Sequence, residues 1–131
     1  MTKLAELAIA AREKAFAPYS GFFVGAAVET IDGTVYTGCN IENASYGLTV
    51  CAERVAIWKA ISEGVKPGDF RAIAVAADTV RPTPPCGACR QRIAEFASDD
   101  CEIVSVQDGV ATQRAPFWSL LPESFGPRDL G

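Results

Sequence analysis

The sequence predicts an α/β protein, a three-layer α/β/α sandwich built on a mixed five-stranded sheet. Three observations predict it. Helix-like and strand-like segments follow the order α-β-β-α-β-α-β-β. Strands separated by helices need crossover connections, which place helices on the faces of one sheet. Asp32-Gly33 is a hairpin signal between two strand-like runs, so at least one pair is antiparallel. Residues 70–77 are almost all apolar, as in a central strand covered on both faces.

The elements follow in order. Residues 2–16 carry Leu4, Leu7, Ala8, Ala11 and Ala15 at helical spacing with charges between them, and Pro18 ends that helix. Residues 22–31 and 34–38 are the strands of the Asp32-Gly33 hairpin. A polar loop from Cys39 to Gly47 comes next. The spacing predicts a second helix over 50–63, with Thr49 as N-cap, a stripe of Val55, Trp58 and Ile61, and Gly64 as its stop. After the strand at 70–77, Asp78 to Pro85 is a loop with three prolines. A third helix spans about 86–97, with Cys89, Ile93, Phe96 and Ala97 on one face. Residues 102–106 and 111–116 are the last strands, joined by a turn at Asp108-Gly109. Trp118 to Leu121 is a short helical or turn segment.

A chain of 131 residues suits one domain, 1–131, with room for a real core. Its formal net charge is −4 and it has no Lys/Arg cluster, so a nucleic-acid partner is not expected. No apolar run is long enough to span a bilayer, and the charged N-terminus has no signal-peptide core. A cytoplasmic protein with no membrane partner is expected. Its cysteines would stay reduced there. There are five of them, Cys39, Cys51, Cys86, Cys89 and Cys101, and there is no histidine. Histidine-based triads, proton shuttles and imidazole metal ligands are therefore excluded.

Pro85-Cys86-Gly87-Ala88-Cys89-Arg90 and Cys51-Ala52-Glu53 place three cysteines at the starts of two predicted helices. A helix N-terminus favours the thiolate. Side chains in a first turn lean toward that end, so Cys51 and Glu53 can reach a common point ahead of the helix. Three thiolates suit tetrahedral zinc and leave its fourth position open, the mark of a catalytic site. Such a zinc lowers the pKa of bound water, and Glu53 has the chemistry to shuttle a proton from that water to a substrate nitrogen. Arg54, or less directly Arg90, could donate to the sulfurs and offset their charge. Cys-x-Glu followed by Pro-Cys-x-x-Cys is the all-cysteine form of the zinc deaminase signature.

With these motifs the sequence resembles the short, homotetrameric type of cytidine deaminase. The likeness runs through Ala17-Pro18-Tyr19-Ser20, Phe22 to Ala27, Gly38 to Asn43, Cys51 to Arg54, Pro85 to Gln91, and Leu120-Leu121-Pro122 with Phe125. The resemblance implies one zinc per subunit on Cys51, Cys86 and Cys89, with Glu53 as proton shuttle. It implies that Asn40 and Glu42 bind ribose hydroxyls and that the Ala52 N–H contacts the base. An aromatic ring stacks on the pyrimidine; strand register leaves Phe22 or Phe23 open, and the family pattern favours Phe22. Tyr46 and Phe125 would close the pocket of a neighbouring subunit. The implied reaction is hydrolytic deamination of cytidine and deoxycytidine to uridine and deoxyuridine plus ammonia, a pyrimidine-salvage step on a small nucleoside. Cys39 and Cys101 match no ligand position and read as buried small hydrophobes. Three alternatives remain at this point. One is a blasticidin S-type deaminase, which lacks the Asn-x-Glu-Asn loop. A second is a structural zinc module with Cys39 or Cys101 as fourth ligand. The third is a redox protein using Cys86 and Cys89.

Overall fold

In the computed structural model, residues 2–77, 84–107 and 111–130 are described, and the Asp108-Gly109 turn and most of the 78–85 loop lie outside them. Three helices and five strands follow in the predicted order: α1 (Lys3–Arg12), β1 (Val24–Thr30), β2 (Val35–Cys39), α2 (Ala52–Ser62), β3 (Phe70–Ala77), α3 (Gly87–Phe96), β4 (Glu102–Gln107) and β5 (Ala111–Pro116). The Trp118 segment is a 3-10 turn at Phe117–Ser119. The sheet order is β2-β1-β3-β4-β5. It is mixed: β3 and β4 are parallel, and the other three pairs are antiparallel.

The helices lie on both faces of the sheet. On one, Ala52, Ala56, Ile57 and Ala60 of α2 and Ile93 of α3 share a core with Ala26, Ile73, Val75 and Phe117. On the other, Ala5 and Ala8 of α1 pack with Ala27, Ala74, Ala76, Val104 and Val106. Alternation along β1 assigns Ala26 and Ala27 to opposite faces, as a strand's pleat requires.

Two glycines set how closely the helices approach. A Cβ on Gly38 would stand 2.6 Å from the Ala56 nitrogen and 2.7 Å from the Ala52 oxygen. One on Gly25 would stand 2.1 Å from the Ala8 oxygen. Both helices therefore lie almost directly on the sheet backbone, and only small side chains fit between.

That closeness corrects the predicted face of the second helix. Its buried side is Ala52, Glu53, Ala56, Ile57 and Ala60, while Trp58 is 50% exposed and Val55 and Ile61 are only partly buried. At Gly38 the helix meets the sheet through the Ala52 and Ala56 backbone with Val55 alongside, while Trp58 points away from it. The N-cap also differs: it is Cys51 and not Thr49. Thr49 instead accepts a hydrogen bond from the Asn43 N–H at 3.2 Å. The first helix is shorter than 2–16, because Lys14 and Ala15 already belong to turns. Cys101 is buried as expected, and burial pushes its thiol up to about 12. Cys39 is partly exposed, contrary to expectation.

Topology gathers the loops at one edge of the sheet. β2 and β3 both run antiparallel to β1, hence parallel to each other. Cys39, at the end of β2, pairs with Gly25, and Ala77, at the end of β3, pairs with Val24 at the start of β1. The segment before β1, the loop after β2 and the loop after β3 therefore leave the sheet side by side. No helix among the described residues is long and apolar enough to cross a membrane.

Candidate active site and metal centre

Above that edge is a cavity of about 250 Å³. Phe22 lines it from the segment before β1 and Val24 from the start of β1, Asn40 and Glu42 from the loop after β2, and Cys51, Ala52 and Glu53 from the start of α2. Val75 forms part of its apolar wall, and Pro84 and Cys86 close the side nearest α3. Phe22 and Phe23 part company: Phe23 lines a separate surface hollow with Ile9, Arg12 and Glu13.

The three cysteines predicted as ligands converge. The sulfurs of Cys51, Cys86 and Cys89 all lie within 4.8 Å of one another, a group able to hold a metal ion. A tetrahedral zinc with bonds of about 2.3 Å would draw sulfurs to about 3.8 Å apart, a small contraction. Helix geometry produces the convergence. Cys51 and Cys86 are the N-caps of α2 and α3 in extended backbone, and Cys89 sits in the first turn of α3. The Cys86 sulfur accepts from the Cys89 N–H at 3.5 Å, which folds the Cys-x-x-Cys run around one point.

The donor set already favours a thiolate. Hydrogen bonding from Cys89 and Cys86, with the positive charges of Arg54 and Arg92, brings the Cys51 thiol down to about 6 against its burial. Cys89 is pushed up instead, by its hydrogen bond to Cys51, by burial and by the Glu53 carboxylate. Soft thiolates without competing histidine suit zinc. Cys39 and Cys101 lie outside the cluster, so neither supplies the fourth ligand that a closed structural site would need.

Glu53 is 4% exposed at the cavity floor, and burial raises its pKa. A carboxyl so placed carries a proton more readily than an exposed one. Ala52, fully buried, is the first residue of α2, and its N–H has no intrahelical acceptor by the geometry of a helix start.

The arginines divide. Arg54 lies with its guanidinium 5.3 Å from the centre of the Trp58 ring, and its buried Nε has no hydrogen-bond partner among the described residues. Arg90 donates from Nε to the Pro85 oxygen at 2.8 Å and from an Nη to the Leu120 oxygen at 2.9 Å. It thus ties the end of the chain to α3, and its bonds go to backbone and not to sulfur. Arg92 was not singled out by sequence: one more charge on a helix carries no signal until the fold sets it near Cys51.

At the other end, Asn40 is buried and bonded to the start of β1 and to Phe22 just before it. Its Oδ1 accepts from the Val24 N–H at 2.9 Å, and its Nδ2 donates to the Phe22 oxygen at 2.8 Å. Glu42 accepts from the Tyr19 and Ser20 N–H groups at 2.9 and 3.1 Å and from the Ser20 hydroxyl. Those bonds, the serine hydroxyl first, hold its carboxyl below the usual range. Backbone pairing closes this loop: Phe16 bonds Asn40 and Glu42, and Ile41 pairs with Val50, one residue before Cys51. Tyr46 and Phe125 do not line the cavity within one chain. Tyr46 is 73% exposed against the edge of Tyr19, with ring centres 6.0 Å apart. Phe125 is 57% exposed, and its backbone oxygen accepts from Gln91.

Residues 1–105 match the profile of the cytidine and deoxycytidylate deaminase zinc-binding region. The chain belongs to this deaminase family. Zinc is accordingly its cofactor, in keeping with the three-thiol donor set. Among relatives of the deaminase family, a cytidine deaminase of Halalkalibacterium halodurans is 53% identical over 123 residues, covering 94% of this chain and 92% of that one. One from Sporosarcina psychrophila is 49% identical over 120 residues, covering 92% and 87%. The crystal structure of cytidine deaminase from Burkholderia pseudomallei superposes with a TM-score of 0.92 at 50% identity, covering 95% of this chain and all of that one.

Proposed function

We propose that this chain hydrolyses the C4 amine of cytidine and deoxycytidine, giving uridine or deoxyuridine and ammonia. The observation that carries the reading is the meeting of three thiols with one buried glutamate on the floor of a cavity rimmed by Asn40 and Glu42. Cys51, Cys86 and Cys89 hold one zinc per chain. When bound, the metal lowers the pKa of a ligating water and so supplies a nucleophile at neutral pH. Glu53 takes a proton from the attacking water and delivers it to N3 of the ring, then carries the proton of the new C4 hydroxyl to the leaving amine, which departs as ammonia as the C4 carbonyl forms. Its raised pKa suits that traffic. Phe22 stacks on the pyrimidine, and the Ala52 N–H binds the edge of the base. Arg54 sets its charge near the thiolates and offsets theirs.

The sugar end supports acceptance of both nucleosides. Asn40 uses one N–H on Phe22, and Glu42 uses one oxygen on two backbone N–H groups and the other on Ser20. An amide carries two N–H donors and each carboxylate oxygen two lone pairs. One N–H and one lone pair remain on Asn40, and one lone pair on Glu42 Oε2, enough to take a ribose hydroxyl. Each of these atoms already has a protein partner, so a missing 2′-hydroxyl leaves none of them without a bond.

All 131 residues serve one domain in this reading. Five free cysteines fit the reducing cytosol. A homotetramer gives Tyr46 and Phe125 a purpose, closing a neighbour's cavity and covering their own exposed rings. Following the loss of ultraviolet absorbance of cytidine tests the activity; no turnover by zinc-loaded protein sinks the reading. Light scattering tests the assembly, and a monomer would remove the shared pocket.

A further inference from the structure

We propose that Ser20 is a positioning residue for this site, its hydroxyl coupling the Glu42 carboxylate to the backbone of Phe22. The inference rests on the reading above, in which Glu42 takes a sugar hydroxyl and Phe22 the base. The Ser20 Oγ donates to Glu42 Oε2 and accepts from the Phe22 N–H at 3.0 Å. Its own N–H, with that of Tyr19, donates to Oε1. Two bonds thus meet on the Ser20 hydroxyl, and a third leaves its backbone, next to the cavity-lining Phe22 and Glu42.

The loop is shaped for this. Gly21 has φ +68°, a conformation open to glycine, and its N–H closes a turn onto the Ala17 oxygen at 3.0 Å. The tight turn brings the Phe22 N–H back over the Ser20 oxygen. From the opposite side Asn40 grips the Phe22 oxygen and the Val24 N–H. The peptide groups flanking Phe22 are therefore fixed from both ends, one by Asn40 and one by Ser20. The two backbone bonds to Oε1 hold that oxygen but leave the carboxylate plane to turn about it. The serine hydroxyl on Oε2 sets the plane, and with it the direction of the remaining lone pair. One hydroxyl thereby places the base-stacking ring and the sugar-binding oxygen in register.

The test uses the zinc-loaded protein with Ser20→Ala and Ser20→Thr, measuring kcat and KM for cytidine and for 2′,3′-dideoxycytidine, with thermal unfolding alongside. Ser20 is exposed and outside the core, so both variants keep the fold. Loss of a hydrogen bond to a charged group predicts that Ser20→Ala raises KM for cytidine about tenfold, with kcat within about twofold. The preference for cytidine over the dideoxy analogue falls at least about threefold, since a misdirected Glu42 no longer rewards the hydroxyl. Ser20→Thr keeps the oxygen and restores both. An unchanged KM and preference in Ser20→Ala would overturn the proposal. So would an equal loss on both substrates with a lowered unfolding temperature, which is the mark of a merely structural serine. If the unaltered protein turns over cytidine but does not prefer it to the analogue, the sugar-loop reading itself fails. If that preference exists and Ser20→Ala retains it, the failure is of this inference alone.

Discussion

Cys51, Cys86, Cys89 and Glu53 sit on helix ends that the core holds in place, whereas Asn40, Glu42 and Phe22 sit on segments held by polar side chains. At the metal end, α2 presses its alanine face onto Gly38, and α3 buries Cys89 and Ile93. At the proposed sugar end, the carbonyl of Phe22 and the backbone N–H groups of Tyr19, Ser20, Phe22 and Val24 are bonded by Asn40, Glu42 and Ser20. The difference follows from what each end must do. Metal ligands need one fixed geometry, which close packing provides. A sugar site needs spare donors and acceptors, which only partly used polar side chains offer.

The comparison can be broken first at the metal end. Replacing Cys86 by Ser, or stripping the metal with a strong chelator, should remove both zinc and activity, read by metal analysis and cytidine turnover. Glu53→Gln should separate the two: zinc content stays at one per chain while kcat falls about 10²–10⁴-fold, the range for a lost proton shuttle. Metal loss in Glu53→Gln would show that the glutamate is needed to build the site. Gly38→Ala comes next. Its methyl group would have to displace the α2 backbone, an overpacking that costs about 1–3 kcal/mol or more, and it should lower thermal stability and zinc retention together.

At the sugar end, Asn40→Ala removes two bonds to β1 and Phe22, each worth about 0.5–1.5 kcal/mol. It should raise KM for cytidine while leaving zinc bound; a loss of zinc would show that the two ends are not independent. The smallest expected effect concerns Cys101. Its thiol, ordinarily near 9, is raised to about 12 in the fold, so the folded state favours the neutral form. The stability it contributes is complete below pH 9 and is lost as pH rises from 9 toward 12. Cys101→Ala should flatten that alkaline slope in unfolding midpoints measured across the range, without altering activity at neutral pH.

Much of the site was legible without coordinates, for a local reason. Cys-x-Glu and Cys-x-x-Cys each lie within one helical turn, so their spacing alone says which side chains can share a point. Asn40 and Glu42 could be assigned to the sugar only by resemblance, because their present partners, Tyr19, Ser20, Phe22 and Val24, are 16 to 23 residues away. Helical spacing misread the buried face of α2. The periodic pattern counts bulky residues, while the close approach at Gly38 selects small ones.

The sequence by itself determined the element order and the hairpin, and it singled out the three thiols that the fold brings together and the glutamate beside them, since each rests on neighbours in the chain. Only the tertiary structure decided that Phe22 and not Phe23 enters the cavity, that Arg90 serves the backbone, and that Ser20 joins Glu42 to Phe22. Those depend on β1 lying between β2 and β3, which brings three distant loops to one sheet edge. Strand order is set by the packing of the whole chain, and no local run of residues encodes it.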